Sequence, residues 1–327
     1  MKEFLKKCSL LACAMLTLGI MVLGAQSASA KTPLQKWGRL QVEGRNIVNS
    51  KGKKVQIKGV STHGIAWFGQ YVNKSAFKSM RKMGANTIRL ALYSDKESGY
   101  SKKLYKTVDK GVKAATELGM YVILDWHILN HGNPKTDQKK ALKFFKRFAK
   151  KYGKQKNVIY EICNEPNGDV KWERDIKPYA EKVIKKIRKY DKKNIIVVGT
   201  PTWSQDVDVV TQSPLEGDNI CYTLHFYAAT HKEIIQSKLD TAYEMNLPVL
   251  VTEFSICDAS GSGSVDKKSG RKWMKILRKY KIGYVAWSLC NKPEAASLIK
   301  NTCTKTGNFK KSDLTVVGKF VTRQWKK

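Results

Sequence analysis

The chain has 327 residues, with 61 Lys and Arg against 27 Asp and Glu for a formal net charge of +34, yet 42% of its residues are hydrophobic and 10% aromatic. That apolar content excludes a disordered polycation, whose few apolar groups could not offset chain entropy. At this length one large domain buries on the order of 75% of its unfolded surface without staples, while the charge by itself points to nucleic acid or an anionic surface.

Lys2, Lys6 and Lys7 precede an apolar run from Cys8 to about Ala25, and Gln26-Ser27-Ala28-Ser29-Ala30 closes it with small residues. This is the layout of a secretory signal peptide over residues 1–30. Cleavage after Ala30 leaves one domain over residues 31–327, since no linker, repeat or low-complexity block interrupts it. That domain keeps Cys163, Cys221, Cys257, Cys290 and Cys303, an odd number that leaves at least one thiol free. No pair has C-x-x-C spacing, so neither a zinc site nor a redox motif is expected.

Leu40-Gln41-Val42 and Asn46-Ile47-Val48 suggest a small β-hairpin. Eight short apolar runs follow: Val55–Val60, Thr87–Leu92, Tyr121–Trp126, Val158–Cys163, Ile195–Gly199, Ile220–Phe226, Pro248–Glu253 and Tyr284–Leu289. Their continuity fits parallel strands covered on both faces. Lys-rich segments of helical period lie between them, with stripes such as Phe144, Phe145, Phe148 and Tyr152, or Tyr179, Val183, Ile187 and Tyr190. Gly119, Gly153 and Gly283 stand where helix C-caps would precede the next strand. Eight strand-then-helix units predict an α/β chain folded as a single (β/α)8 TIM barrel, its N-terminal end closed by the hairpin.

In that fold, functional groups stand where each strand stops. The runs end in Ser61-Thr62-His63-Gly64, Arg89 with Tyr93, Asp125-Trp126-His127, Cys163-Asn164-Glu165-Pro166, Trp203, Leu224-His225-Phe226-Tyr227, Val251-Thr252-Glu253-Phe254 and Ala286-Trp287-Ser288-Leu289. A carboxylate that closes an apolar strand needs donors, or its pKa rises. Glu165 and Glu253 both do so, on strands nearly opposite each other, and Arg89, Asn164, Tyr227 and the histidines can supply donors. Two carboxylates facing one space, with aromatic faces around it, suggest glycoside hydrolysis.

At these residues the chain resembles glycoside hydrolase family five, and most closely its bacterial endoglucanases. The likeness runs from about Leu34 to the last helix through Gly59-Val60-Ser61-Thr62-His63-Gly64, Ile88-Arg89-Leu90-Ala91-Leu92-Tyr93, Leu124-Asp125-Trp126-His127, Tyr160-Glu161-Ile162-Cys163-Asn164-Glu165-Pro166, His225-Phe226-Tyr227-Ala228, Val251-Thr252-Glu253-Phe254 and Trp287-Ser288-Leu289-Cys290-Asn291-Lys292. The resemblance implies that Glu165 is the acid/base and Glu253 the nucleophile of a retaining mechanism. It implies that Asn164 bonds the sugar 2-hydroxyl, and that Arg89 and Tyr227 keep the nucleophile ionised and aligned. With a cation beside it, Glu253 is expected to have a lowered pKa and Glu165 a higher one. By the same resemblance His127 and His225 bind sugar and orient the site, and Trp287 lies under the sugar being cleaved. His63, Trp67, Tyr93, Lys292 and Glu294 then contact the glycone, and Trp203 stacks on the aglycone side. Ser255, Cys290 and Pro293 depart from the family pattern.

The expected function is a secreted endo-β-1,4-glucanase acting as a monomer on β-glucan, with an endo-β-mannanase or lichenase as the alternative and, behind these, a non-catalytic surface glycan-binding protein. No metal or cofactor and no nucleic-acid partner is expected. The surplus Lys falls on the outer faces of the helices, where it would hold the enzyme electrostatically on an anionic cell wall.

Overall fold

The computed structural model describes residues 30–327; apart from Ala30, the expected signal segment lies outside the described residues. Strands β1 (Leu40–Glu43) and β2 (Asn46–Asn49) pair antiparallel around Gly44, which opens the two-residue turn at φ +52°. The Val55 N–H donates to the Ile47 carbonyl at 2.8 Å, so this stretch continues the hairpin. The first barrel strand therefore begins at Lys58, three residues after the expected Val55.

The barrel strands are β3 (Lys58–Thr62), β4 (Thr87–Tyr93), β5 (Tyr121–His127), β6 (Val158–Glu161), β7 (Ile196–Val198), β8 (Ile220–Tyr227), β9 (Val249–Ser255) and β10 (Tyr284–Leu289). All neighbours are parallel, and β10 closes on β3. Strand β6 stops at Glu161, four residues short of Glu165, so Glu165 stands on an irregular extension of the strand.

Outside the barrel, among the described residues, run seven longer helices: α1 (Lys74–Met83), α2 (Tyr105–Glu117), α3 (Gln138–Tyr152), α4 (Lys177–Arg188), α5 (Glu233–Glu244), α6 (Lys267–Tyr280) and α7 (Val316–Trp325). The α3 stripe of Phe144, Phe145, Phe148 and Tyr152 is buried while its Lys residues face outward. Burying four aromatics supplies most of the drive for this helix, since full burial of one such side chain contributes roughly 1.5–3 kcal/mol. Tyr190 lies beyond α4 in a turn and is partly exposed, so it is no part of that helix's apolar stripe. The expected eighth helix is missing between β7 and β8. Short turns at Pro201–Ser204 and Asp208–Gln212 replace it, the first with left-handed φ near +55° at Thr202, Trp203 and Ser204.

Of the three glycines expected as caps, Gly119 is left-handed at φ +60° just past α2, and Gly153 caps α3 in a right-handed conformation. Gly283 is not a cap. Lys281 ends α6 at φ +58°, and Gly283 lies where a Cβ would come within 2.8 Å of Ile57 and 2.7 Å of Leu250.

Strand side chains alternate between the helix layer and the barrel interior. The lower interior is apolar: Tyr121, Ile123, Ile159, Val197, Leu250 and Val285 pack with Leu40, Ile47, Val55 and Ile57, so the hairpin side plugs the N-terminal end. The five cysteines among the described residues are all buried and free.

Candidate active site

The upper interior follows from the same alternation. On β5 the inward positions read Tyr121, Ile123, Asp125, His127, passing from apolar to titratable toward the C-terminal end. The register sets Asp125 beside Ala91 on one side and Glu161 on the other, and His225 beside Glu253.

Arg89 fills the centre of this layer and is fully buried. It donates through Nε to Glu161 Oε2 at 2.8 Å and through NH2 to Glu161 Oε1 at 3.0 Å. NH1 donates to Glu253 Oε2 at 3.0 Å, and NH2 also reaches Asp125 Oδ2 at 3.1 Å and the Asn164 amide oxygen. Burial alone would weaken the hold of Arg89 on its proton, but Asp125, Glu161 and Glu253 outweigh it and raise the pKa. One cation thus ties together three carboxylates, the arrangement in which a buried charge is tolerated.

Glu253 receives a second bond, from the Tyr227 hydroxyl to Oε1 at 2.8 Å. Glu165 has no cation within bonding distance; its Oε1 lies 2.9 Å from His225 Nδ1. A carboxylate oxygen of Glu165, one of Glu253 and a ring nitrogen of His225 all lie within 4.8 Å of one another. Those three could in principle ligate a cation, but Arg89 already occupies Glu253 and both His225 nitrogens are engaged, Nε2 with Thr252 Oγ1 at 2.9 Å. The cluster fits proton chemistry better than metal binding.

Burial drives the Glu165 carboxyl up to about 8, with Arg89 the main opposing influence. Burial and then the charge of Glu165 raise Glu253 as well, against the pull of His225 and Arg89. This corrects the expectation of a lowered Glu253: at the floor of the site, desolvation outweighs the neighbouring cation. The acids still differ, because Arg89 and Tyr227 donate directly to Glu253 and neither bonds to Glu165. When the pair shares one proton, it resides on Glu165. Burial also lowers His225 to about 4 and His63 to about 3, so both rings are neutral at neutral pH.

A cavity of about 670 Å³ opens above this layer. It is lined by Glu165, Glu253, His225 and Tyr227, and by His63, Trp67, Tyr93, His127, Trp203, Trp287, Lys292 and Glu294. Trp67 and Trp203 are 48% and 45% exposed, whereas Trp287 is 6% exposed and stacks on His127 with centroids 5.2 Å apart. Lys292 pairs with Glu294 at 2.6 Å, and the other Glu294 oxygen is buried without a partner.

Arg89 and Asn164 lie beneath the cavity without lining it. Asn164 is fully buried, and its Nδ2 donates to the Ile128 carbonyl at 3.1 Å and lies 3.3 Å from His127 Nε2.

Several lining or supporting residues carry no role in the sequence reading. Asp125 and Glu161 fall within its motifs and stand in apolar strands, the same signal that singled out Glu165 and Glu253. Ser98, Asn130, Gln205, His231 and the loop residues Ala259, Ser260 and Gly261 also face the cavity, and no local pattern marks them. At the departures from the family pattern, Ser255 Oγ accepts from Cys257 Sγ at 3.2 Å, and Cys290 Sγ lies 3.1 Å from Ser297 Oγ.

The family model for cellulases of glycosyl hydrolase family 5 matches residues 48–293. An endoglucanase of Clostridium saccharobutylicum is 42% identical over 98% of this chain and 72% of its own length. Endoglucanase N of Pectobacterium atrosepticum is 40% identical over 94% of this chain and 71% of its own. Among solved structures, the catalytic domain of Thermobifida fusca endoglucanase Cel5A superposes with a TM-score of 0.85 at 34% identity, covering 91% of this chain and 100% of that one. A complex of that domain with cellotetraose gives a TM-score of 0.83 at 32% identity, with the same coverage. With the family model spanning most of the barrel and relatives this similar over nearly its whole length, the chain belongs to glycosyl hydrolase family 5.

Proposed function

We propose that the protein is a secreted, retaining endo-β-1,4-glucanase in which Glu165 is the acid/base and Glu253 the nucleophile. The observation that carries this reading is the pair itself: two carboxyl groups with oxygens within 4.8 Å and unlike partners, at the floor of an aromatic-lined groove. A short separation suits covalent double displacement, whereas inversion needs room for a water between the acids. Protonated Glu165 donates to the glycosidic oxygen while ionised Glu253 attacks the anomeric carbon. The C–O bond to the leaving sugar breaks and an ester to Glu253 forms. Glu165, now a carboxylate, takes a proton from water, whose oxygen displaces Glu253 and restores both groups. No step calls for a metal or cofactor.

Trp287 serves as the floor under the sugar being cleaved. Trp67, Tyr93, His63, Lys292 and Glu294 hold the glycone side, where the unpartnered Glu294 oxygen is an acceptor for a sugar hydroxyl. Trp203 stacks on the aglycone side. Asn164 serves the 2-hydroxyl by turning the Nδ2 hydrogen that faces His127 Nε2 toward the sugar, while the other stays on the Ile128 carbonyl.

Reducing-sugar release from carboxymethylcellulose, mixed-linkage glucan and mannan tests the substrate, with Glu165→Gln and Glu253→Gln as controls. Much faster cleavage of mannan would transfer the reading to a mannanase. Azide should rescue Glu165→Ala to give a β-glycosyl azide; a β-azide from Glu253→Ala instead would reverse the two roles.

The outer charge supports a second element of this reading, electrostatic retention on an anionic wall. Lys319 and Arg323 on α7 and Lys326 just past its end line a cleft of about 350 Å³ that also takes in Lys311, and among the described residues no carboxylate pairs with any of the four. Retention on walls should fall steeply as salt rises to a few hundred millimolar; salt-insensitive retention would remove this element.

A further inference from the structure

Thr252 precedes the nucleophile and is fully buried, with no face toward the cavity. Its hydroxyl oxygen lies 2.8 Å from Glu161 Oε1, 2.9 Å from His225 Nε2 and 2.6 Å from Thr223 Oγ1. A hydroxyl has one proton and two lone pairs. Burial raises the Glu161 carboxyl against the pull of Arg89, but a guanidinium that donates to both of its oxygens, at 2.8 and 3.0 Å, pairs with the carboxylate form, which can only accept. The single Thr252 proton must therefore go to Glu161, or two lone pairs would face each other at 2.8 Å.

Both remaining neighbours must then donate to Thr252. Thr223 can, because its own oxygen accepts from the Thr252 backbone N–H at 3.1 Å. His225 must, which places its proton on Nε2 and leaves Nδ1 as a bare lone pair. That lone pair lies 2.9 Å from Glu165 Oε1. An ionised Glu165 would be repelled there, whereas a protonated Glu165 donates to it.

We propose that Thr252 is a positioning residue for the acid: its hydroxyl locks His225 in the Nε2–H tautomer, and that tautomer holds a proton on Glu165. The inference rests on Glu165 being the acid/base. The chain of bonds runs from Arg89 through Glu161, Thr252 and His225 to Glu165, so Arg89, whose charge opposes protonation of Glu165 through space, anchors the chain that sets the tautomer of the ring receiving the Glu165 proton. After leaving-group departure the same lone pair repels the new carboxylate, which favours proton recovery from the attacking water. The other groups around this line are Asp125, His127, Tyr93, Tyr227 and Glu253, with His231 facing His225 and the Cys163 and Cys221 thiols facing Glu161. The first five face Arg89 or the carboxyl pair, and none of these groups offers a donor within bonding distance of His225 Nδ1.

The test begins on the unaltered protein. In protein labelled with nitrogen-15 on histidine, with His225 assigned by its loss in His225→Gln, the His225 shifts at pH 7 should show a protonated Nε2 and a bare Nδ1. The opposite tautomer overturns the proposal without any further variant. In Thr252→Val the ring is freed to turn its proton to Nδ1, where it donates to Glu165 and stabilises the carboxylate. The basic limb of kcat/KM should then move down by about one pH unit, a loss of about fivefold at pH 8 that approaches tenfold at higher pH, relative to the acid side. Thr252→Ser keeps the hydroxyl and should keep the basic limb of the parent. An unmoved limb in Thr252→Val, or an equal displacement in Thr252→Ser, defeats the role of Thr252 while leaving Glu165 as the acid. Substantial activity in Glu165→Gln would instead remove the acid assignment on which the inference stands.

Discussion

The two ends of the barrel interior are built from the same strands with opposite physics. Below, Tyr121, Ile123, Ile159, Val197, Leu250 and Val285 pack on the hairpin side through Ile47, Val55 and Ile57, and the layer is stable by burial of apolar surface. Above, the same inward positions become Arg89, Asp125, Glu161 and Glu253, all buried. That layer persists only through mutual neutralisation, and it holds more carboxyl groups than cations. Burial accordingly raises Asp125 to about 7 and Glu165 to about 8. A stored proton is thus a consequence of crowding acids around one guanidinium, and an acid catalyst needs such a proton. Stability resides at one end and chemistry at the other, on a single set of strands.

The sharpest way to break this division is one substitution at each end. Glu253→Gln should lower kcat by at least about 10⁴-fold, since loss of a nucleophile costs up to roughly 10⁶, with a melting temperature no lower than that of the parent. Ile57→Ala should cost about 2–5 kcal/mol in denaturant unfolding and leave kcat at 25 °C within twofold. A stability loss in the first, or a large kcat loss in the second, would show that the two ends are not separable.

Arg89 is where the division should fail. Arg89→Ala strands Asp125, Glu161 and Glu253 as uncompensated buried charges. Breaking a buried pair in this way costs about 3–5 kcal/mol, so urea unfolding should register a loss as large as that of a core truncation, together with loss of activity. A variant that stayed as stable as the parent would mean that the upper layer is not held by this cation.

How much of this division was legible beforehand depended on the kind of signal. The barrel could be read because parallel strands covered on both faces leave continuous apolar runs, and Glu165 and Glu253 stood out by ending two of them. Val55 was assigned to the wrong element because an apolar residue that plugs a barrel looks like one that lines it. The missing helix after β7 was invisible because its cause is conformational: Thr202, Trp203 and Ser204 are ordinary residues held at left-handed φ. The raised pKa of Glu253 could not be foreseen from a nearby Arg, since desolvation depends on depth, which only the folded chain defines. Ala259, Ser260 and Gly261 reach the cavity by loop path alone.

The stored proton predicts a pH dependence with a definite sign. Activity requires Glu165 protonated and Glu253 ionised, so kcat/KM should be bell-shaped and fall as pH rises through about 8. On the acid side it should fall at a pH above the ordinary carboxylate range, because Glu253 is also raised. The same proton has a stability signature. A carboxyl raised in the folded state contributes stability that is complete below its unfolded pKa of roughly 4.3 and lost as pH rises through its folded value. Glu165→Gln should therefore gain on the parent in melting temperature between pH 5 and pH 9. A constant difference across that range would place the proton elsewhere.

The smallest expected effect lies at the rim and separates binding from both ends of the barrel. Trp203 is half exposed, so its removal loses little packing, and it holds φ +54° between two other left-handed residues. A left-handed non-glycine costs roughly 1–2 kcal/mol, so Trp203→Gly relieves strain as it deletes the stacking face, and the melting temperature should hold or rise slightly. Stacking of this kind contributes about 0.5–1.5 kcal/mol beyond buried area, so KM for a substrate long enough to span the aglycone side should rise up to about tenfold, since each 1.4 kcal/mol is a factor of ten. Substrates that end before Trp203 should show no change. If short and long substrates suffered alike, Trp203 would be shaping the carboxylate layer beneath it, and the rim would belong to the catalytic end after all.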